Sequence, residues 1–363
     1  MDGRHAGRDA AAFIRFEEVG MDLVTGAAGH LGNVLVRELL KQGRQVRALV
    51  LPGEDLRSLE GLDVEIVEGN ILNKESLYRA CDGIDVVYHL AALVAITADQ
   101  ESLMRHVNVD GTLNVIDAVQ HVGVRKMMYT SSIHALERAP DGVVIDESLA
   151  FDVRNPAGPY DRTKAEASVA VLEAVKQGLN ATIVCPTGVI GPYDFRRSEI
   201  GEMILTWMKK QPSISVDGRF DFVDVRDVAN GHILAEQKGQ PGHTYLLAGE
   251  QAEVSSVREW VQSVVGIKTP EIKFSAPIAY FVAPLAEIYY RVTKTRPRFT
   301  SYSIETLQSN SKISSAKAQR ELGYQHRNLY ESVRDTVQWW MENISKTASS
   351  VRYAVGKKRS SKV

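Results

Sequence analysis

The sequence predicts an α/β protein: a doubly wound parallel sheet followed by a smaller, mostly helical C-terminal substrate lobe. Short β-branched runs alternate with longer amphipathic segments from Asp22 to about Gly191. That alternation requires crossover connections, and so a parallel sheet covered on both faces. The strand runs are near-continuously apolar, as in Asp85-Val-Val-Tyr-His89 and Thr182-Ile-Val-Cys185, which suits strands buried on both sides. After Gly191 the rhythm changes, and helical segments outnumber short strands.

In chain order, strands are expected at Asp22–Thr25, Gln45–Leu51, Val64–Glu68, Val86–His89, Lys126–Ser131 and Ala181–Cys185. Between them Leu31–Gln42, Lys74–Cys81, Val107–His121 and Pro159–Gln177 read as helices. Gly43 and Gly178 directly follow two of these, and Gly123 follows a third after one residue, the usual helix stop. In the second part Glu199–Lys210, Val254–Val265, Ser314–Leu322 and Leu329–Glu342 read as helices, with short strands at Phe220–Val223 and Thr244–Leu247. The expected organisation is an extension over 1–20, a dinucleotide-type domain over 21–190, a lobe over 191–344 with segments returning to the first domain, and a disordered Ser- and Lys-rich tail over 345–363. Met21 directly precedes the first strand, so residues 1–20 read as an extension or an upstream start.

Composition narrows the function. Of 363 residues, 44% are hydrophobic and 24% charged, with a net charge of −2; no basic field favours nucleic acid. Cys81 and Cys185 have no metal-binding spacing and read as small buried hydrophobes of a reducing, cytoplasmic compartment. The longest apolar run, Ala276–Tyr290, is broken by Pro277, Pro284 and Glu287 and is too short to span a bilayer. The histidines are scattered, so no metal site is expected, and there is no G-x-S-x-G elbow.

Two segments carry the chemistry. Gly26, Gly29 and Gly32 leave a strand and open a helix. Gly26 permits the sharp turn, Gly29 lets a pyrophosphate approach the backbone, and Gly32 lets the helix sit close to the sheet. The spacing is G-x-x-G-x-x-G rather than the commoner G-x-G-x-x-G. Tyr160 and Lys164 lie four apart on one helix face. An ammonium there is expected to draw the phenol down from its ordinary value of about 10, making it an acid or base near neutrality. Spacing alone does not decide, because Tyr290 and Lys294 repeat it. Context does: Tyr129-Thr-Ser-Ser-Ile-His134 ends a strand upstream, and ligands bind at the C-terminal ends of such strands.

Thr25-Gly-Ala-Ala-Gly-His-Leu-Gly32, His89-Leu-Ala-Ala92, Asn108-Val-Asp-Gly-Thr112, Thr130-Ser-Ser132, Tyr160-x-x-x-Lys164, Pro186-Thr-Gly-Val-Ile-Gly-Pro192 and Phe222-Val-Asp-Val-Arg-Asp-Val228 together resemble the extended short-chain dehydrogenase/reductase family, of NAD-dependent epimerase/dehydratase type. The resemblance runs from about Met21 to Asn343 and is nearest the dihydroflavonol-reductase and 3β-hydroxysteroid-dehydrogenase-like branch. It implies a Rossmann domain, Tyr160 as acid/base, Lys164 lowering its pKa and holding the nicotinamide ribose, and Ser132 bonding the substrate oxygen. It also implies cofactor contacts from Thr25, Gly26, Gly29, His30, Leu31, Gly32, Arg57, Asn70, Ile71, Leu90, Ala91, Ala92, Tyr160, Lys164 and Pro186. Ser131 is a neighbour that could be mistaken for Ser132, and His134 reads as packing. A homodimer pairing Val107–His121 with Pro159–Gln177 across a two-fold axis is implied as well.

This chain departs from the family at two places. The second strand ends without an acid for an NAD ribose, and Leu51 stands where an NADP-binding arginine is usual; Arg57 or Arg47 could meet a 2′-phosphate, which leans the cofactor from NAD to NADP. Asn70 replaces an aspartate near the adenine. The expected reaction is hydride transfer between nicotinamide and a carbonyl or secondary alcohol of a hydrophobic small molecule, given the apolar, aromatic Phe274–Tyr290. The alternatives are a nucleotide-sugar epimerase or dehydratase with tightly bound NAD, using Arg196, Arg197 and Arg219 on the diphosphate, and a non-catalytic cofactor sensor.

Overall fold

The computed structural model describes residues 20–94, 100–275, 277–283, 293 and 301–357, with side chains described to 344. The expected extension, most of Ala276–Tyr290, the Tyr290–Lys294 pair and the final residues lie outside that description.

β1 (Met21–Thr25) is an apolar strand that leaves through the glycine turn into α1 (His30–Lys41), which buries Val34, Leu35, Val36 and Leu39 against the sheet. β2 (Gln45–Val50), β3 (Glu65–Glu68), α2 (Lys74–Cys81) and β4 (Ile84–His89) complete the first half. α3 (Glu101–Arg105) runs through a wider turn at His106–Asp110 into α4 (Gly111–Val122), so the helical stretch begins before Val107. Gly123 ends it in the left-handed conformation, φ 82°. β5 (Lys126–Thr130), α5 (Pro159–Lys176) and β6 (Ala181–Pro186) follow.

The second part comprises β7 (Gly188–Ile190), α6 (Glu199–Trp207), β8 (Ser213–Val216), β9 (Arg219–Asp224), α7 (Val225–Lys238), β10 (Thr244–Leu247), β11 (Glu250–Glu253), α8 (Val254–Val265), β12 (Glu271–Phe274), α9 (Ser301–Gln308), α10 (Ala316–Leu322) and α11 (Leu329–Lys357). The main sheet has seven strands in the order β10-β6-β5-β4-β1-β2-β3, all parallel. β10 thus returns from the second part to extend the first. Smaller sheets, β11-β9-β7 and β12-β8, belong to the lobe.

β7, β8, β11, β12 and α9 are not anticipated from the sequence, and two further departures have a physical cause. α7 was not anticipated, because Asn230, His232 and Glu236 break its apolar periodicity. In the fold His232 and Glu236 are buried but satisfied: His232 bonds Val228 O (2.8 Å) and Thr130 Oγ1 (2.8 Å), and Glu236 pairs with Arg44 (3.1 Å) and Arg125 (2.9 Å). α11 continues to Lys357, well into the stretch expected to be disordered from residue 345. No proline interrupts that stretch.

The core divides by layer. Leu77, Val115, Val119, Val171 and Ile183 fill one face of the sheet under α2, α4 and α5. Val34, Leu35, Val228, Ile233 and Leu322 fill the other under α1, α7 and α10. A third cluster joins α6, α8 and α11 around Trp340, Val257, Val261 and Val337. Trp340 is fully buried, and its indole N–H has no hydrogen-bond partner. Trp340→Ala should cost about 3–5 kcal/mol of stability in urea unfolding. Trp340→Phe should cost clearly less, because it also removes a buried unpaired donor.

Candidate active site

The glycine turn lies at the centre of the sheet, where β1 meets β4. Gly26 has φ +70°, and a Cβ there would sit 2.8 Å from Ala91 N; a Cβ on Gly32 would sit 2.1 Å from Gly26 O. Side chains are therefore excluded from the turn by backbone on both sides. α1 begins at Gly29 with no side-chain cap and no acid in its first turn. Its free N–H groups and the positive end of its dipole suit an anion. The residues present fit a dinucleotide pyrophosphate: a bare backbone cradle beneath an uncapped helix N-terminus.

Thr25 ties the turn to the end of β4. Its Oγ1 accepts from Leu90 N (3.2 Å) and Ala91 N (3.1 Å), and lies 2.8 Å from His89 Nδ1. Burial pulls His89 down to about 3, so the ring is neutral. Thr112 donates to Asn108 O (2.6 Å), so it accepts from His89 Nε2 (3.0 Å), and Nδ1 accepts from Thr25. Leu90, Ala91 and Ala92 are held half-exposed beside the turn, as is Leu31. His30 Nε2 bonds Pro192 O at 3.0 Å. Asn33, which sequence reasoning passed over, is fully buried and donates to Gly29 O (2.7 Å), His30 O (2.9 Å) and Tyr193 O (3.1 Å). A buried amide on the apolar face of α1 was the available signal.

On the far side of the turn Ile71 is buried, while Asn70 is exposed and its Oδ1 accepts from Leu72 N at 2.9 Å. Arg47 does not reach a 2′-phosphate position. It pairs with Glu65 (3.0 Å) and donates to Ala80 O and Asp82 O (2.9 and 2.7 Å), because its place within β2 points it at the C-terminus of α2. Arg57 is at the right end but clasped by Asp55, Nε to Oδ1 and Oδ2 at 2.9 Å. Leu51 is exposed, and its N–H donates to Glu54 Oε2 at 2.7 Å. Glu54 also pairs with Arg196.

The proposed proton-transfer residues meet at the C-terminal ends of β5 and β6. Ser131 Oγ bonds Ser168 Oγ at 2.6 Å, whereas Ser132 is the hydroxyl close enough to the Tyr160 phenol to draw its pKa down. The two serines are thereby told apart. Lys164 donates to Thr130 O at 2.5 Å and lies 4.8 Å from the Tyr129 ring centre. The expected downward shift of Tyr160 is not found: burial pushes the phenol up to about 12, partly offset by Ser132. The same burial pulls Lys164 down to about 8. Desolvation outweighs the ammonium because Lys164 is spent on a carbonyl and a ring face. Cys185 and Cys81 are buried and pushed up to about 12 and about 11, inert at neutrality.

A cavity of about 280 Å³ lies beyond Ser132, where Ile133, Leu136, Ile145, Phe220 and Ile313 are outnumbered by polar and charged groups, among them His134, Arg138, Asp161 and Asp221. His134 stacks on Phe220, ring centres 5.9 Å apart, and burial pulls it down to about 4. Pro186 is buried at the end of β6. Arg196, Arg197 and Arg219 form no cluster; each pairs with a glutamate, Glu54, Glu202 and Glu253 respectively. Among the described residues no group of three potential ligands could hold a metal, and no helix is long and apolar enough to cross a membrane.

A parallel sheet with a glycine-cradled anion site between its central strands, and a tyrosine–lysine–serine group at its C-terminal edge, defines a dinucleotide-dependent oxidoreductase. The chain belongs to the NAD dependent epimerase/dehydratase family, which it matches over residues 23–248, and is an NAD-dependent enzyme of the extended short-chain dehydrogenase/reductase type. Sterol demethylase protein B of Methylococcus capsulatus is 35% identical over 88% of this chain and 98% of its own length. A 3-beta-hydroxysteroid dehydrogenase of Mycolicibacterium neoaurum is 29% identical over 85% of this chain and 87% of its own. The solved UDP-glucose 4-epimerase of Thermus thermophilus, in complex with NAD, has the same fold, with a TM-score of 0.72 at 22% identity over 88% of this chain and 99% of that one.

Gly32→Ala should weaken dinucleotide binding by on the order of 100-fold, about 2.7 kcal/mol, in a fluorescence titration. The added Cβ has only backbone to displace.

Proposed function

We propose that the protein interconverts a carbonyl and a secondary alcohol on a hydrophobic small molecule, with Tyr160 as acid/base. The observation that carries this reading is the closeness of Ser132 to the Tyr160 phenol, beside a cavity to which Ile133, Leu136, Ile145, Phe220 and Ile313 contribute apolar surface among polar and charged neighbours. Thr25, the Gly26–Gly32 turn and Lys164 would hold the dinucleotide, whose nicotinamide would exchange a hydride with the substrate carbon. Ser132 and the Tyr160 hydroxyl would donate to the substrate oxygen and stabilise the developing alkoxide. Tyr160 would give up its proton as the carbonyl is reduced and take it back in oxidation. The high phenol value set by burial favours its holding a proton in the resting state. The sterol- and steroid-named relatives support a polycyclic or similarly apolar substrate. The pairing of each candidate arginine with a carboxylate argues against a diphosphate contact and so against the epimerase alternative.

For the cofactor we propose NAD rather than NADP. Asp55 clasps Arg57, and Glu54 is anchored on the N–H of Leu51. Two carboxylates thus stand at the end of β2, where they hold Arg57 and Arg196 off a 2′-phosphate and could accept from a ribose hydroxyl.

Tyr160→Phe should lower kcat on a responsive secondary alcohol by about 100- to 10,000-fold while leaving NADH binding intact; unchanged kcat would remove Tyr160 from the mechanism. NADH should bind at least about tenfold tighter than NADPH, about 1.4 kcal/mol, and Glu54→Gln with Asp55→Asn should narrow that ratio in the same titration.

A further inference from the structure

The first turn of α5 carries Tyr160, yet its own sequence does little to hold it. Gly158 at the N-cap provides no side-chain bond. Further along, the helix is well anchored, by Lys164 on Thr130 O and Ser168 on Ser131. Besides Arg162 on Asn155 O (3.2 Å) and Asn108 on Thr163 Oγ1 (3.1 Å), a further restraint comes from the C-terminal lobe. Tyr302, near the start of α9, donates its hydroxyl to Asp161 Oδ1 at 2.7 Å. Its ring lies so close to Gly158 that a Cβ there would be 2.9 Å from Cδ2 and 3.0 Å from Cε2.

Asp161 is only 2% exposed, and a buried carboxylate persists only where its oxygens are paired. Arg138, Arg162 and Glu305 are the other charges that face it. Arg138 is bonded to Glu305 (2.6 Å) and Arg162 to Glu101 (2.6 Å), so the cations near Asp161 are committed elsewhere. The carboxyl is nonetheless beside the cavity and one residue from the phenol.

We propose that the Tyr302–Asp161 hydrogen bond is a latch by which α9 of the C-terminal lobe fixes the first turn of α5, making Tyr302 and Asp161 positioning residues for proton transfer at Tyr160. This rests on Tyr160 being the acid/base. An aspartate in the first turn ordinarily turns back to the helix's own N–H groups; here it reaches across to another lobe. A substrate would therefore meet a Tyr160 whose position depends on a contact made by that lobe.

The test compares Tyr302→Phe, Asp161→Asn and Asp161→Ala with the wild type on the same secondary alcohol. Tyr302→Phe should lower kcat about 10- to 100-fold, as small misplacements of a reacting group do, with KM for the dinucleotide unchanged. Asp161→Asn, whose amide oxygen still accepts from Tyr302, should recover most of the rate lost in Asp161→Ala. The pH profile adds a signature. Burial raises Asp161 to about 6 from its ordinary 3.8, and the carboxylate accepts the Tyr302 hydrogen bond more strongly than the neutral acid or an amide does. Wild-type kcat should therefore fall part-way, to about the Asp161→Asn level, as pH falls through about 6, and Asp161→Asn should lack that limb. Wild-type kcat in Tyr302→Phe, or equal loss in both Asp161 variants with one pH profile, would overturn the latch. If Tyr160→Phe is itself as active as wild type, the acid/base reading fails instead. The latch then stands or falls on hydrogen exchange of the 160–163 amides, at least about tenfold faster in Tyr302→Phe if it holds and unchanged if it does not.

Discussion

The contact between the Gly26 carbonyl and Gly32 governs the rest of the molecule. With 2.1 Å between that oxygen and an imagined Cβ, α1 can cross β1 only where neither partner has a side chain. The approach brings the helix N-terminus over the junction of β1 and β4, and a sheet whose strand order reverses there opens a crevice at the same place. α1 in turn packs against α7, and Asn33 and His30 fasten it to the Pro192–Tyr193 segment. The anion site and the entry to the second lobe are thus built by one close approach.

A buried polar chain runs from that turn to α5, the helix that carries Tyr160. Thr25 bonds His89, His89 bonds Thr112, and Thr112 bonds the Asn108 carbonyl. The Asn108 amide then bonds Leu93 O (3.0 Å) and Thr163 Oγ1 (3.1 Å), next to Lys164. Each link contributes about 1 kcal/mol net, but breaking one leaves a buried group unpaired. The chain's value lies in register: it sets the glycine turn and α5 in one fixed relation, so that a dinucleotide held by the first would reach the residues on the second.

The electrostatics of the site follow burial more than pairing. Tyr160 and Lys164 are both displaced toward their neutral forms, Tyr160 up to about 12 and Lys164 down to about 8. A helix spacing of four places two side chains on one face, but whether their charges interact depends on what else each can bond. The Thr130 carbonyl and the Tyr129 ring take up Lys164, and Ser132 takes up Tyr160.

Local signals were enough for the sheet's first six strands and the glycine turn. Period and glycine stops reflect backbone preference, which acts over a few residues, and Gly123 ends α4 as its position requires. The family resemblance, resting on ordered short motifs, was legible in the same way. Tertiary structure decided what depended on distant partners. α7 was hidden because His232 and Glu236 look wrong for a buried helix until Thr130, Arg44 and Arg125 are seen beside them. Arg47 looked available for a phosphate until its orientation within β2 turned it to the Ala80 and Asp82 carbonyls. Tyr302 lies about 140 residues from Asp161 and belongs to no motif, so only folding could bring them together. Sequence spacing encodes what neighbours along the chain will do; the desolvation and pairing of a side chain are set by what packs over it.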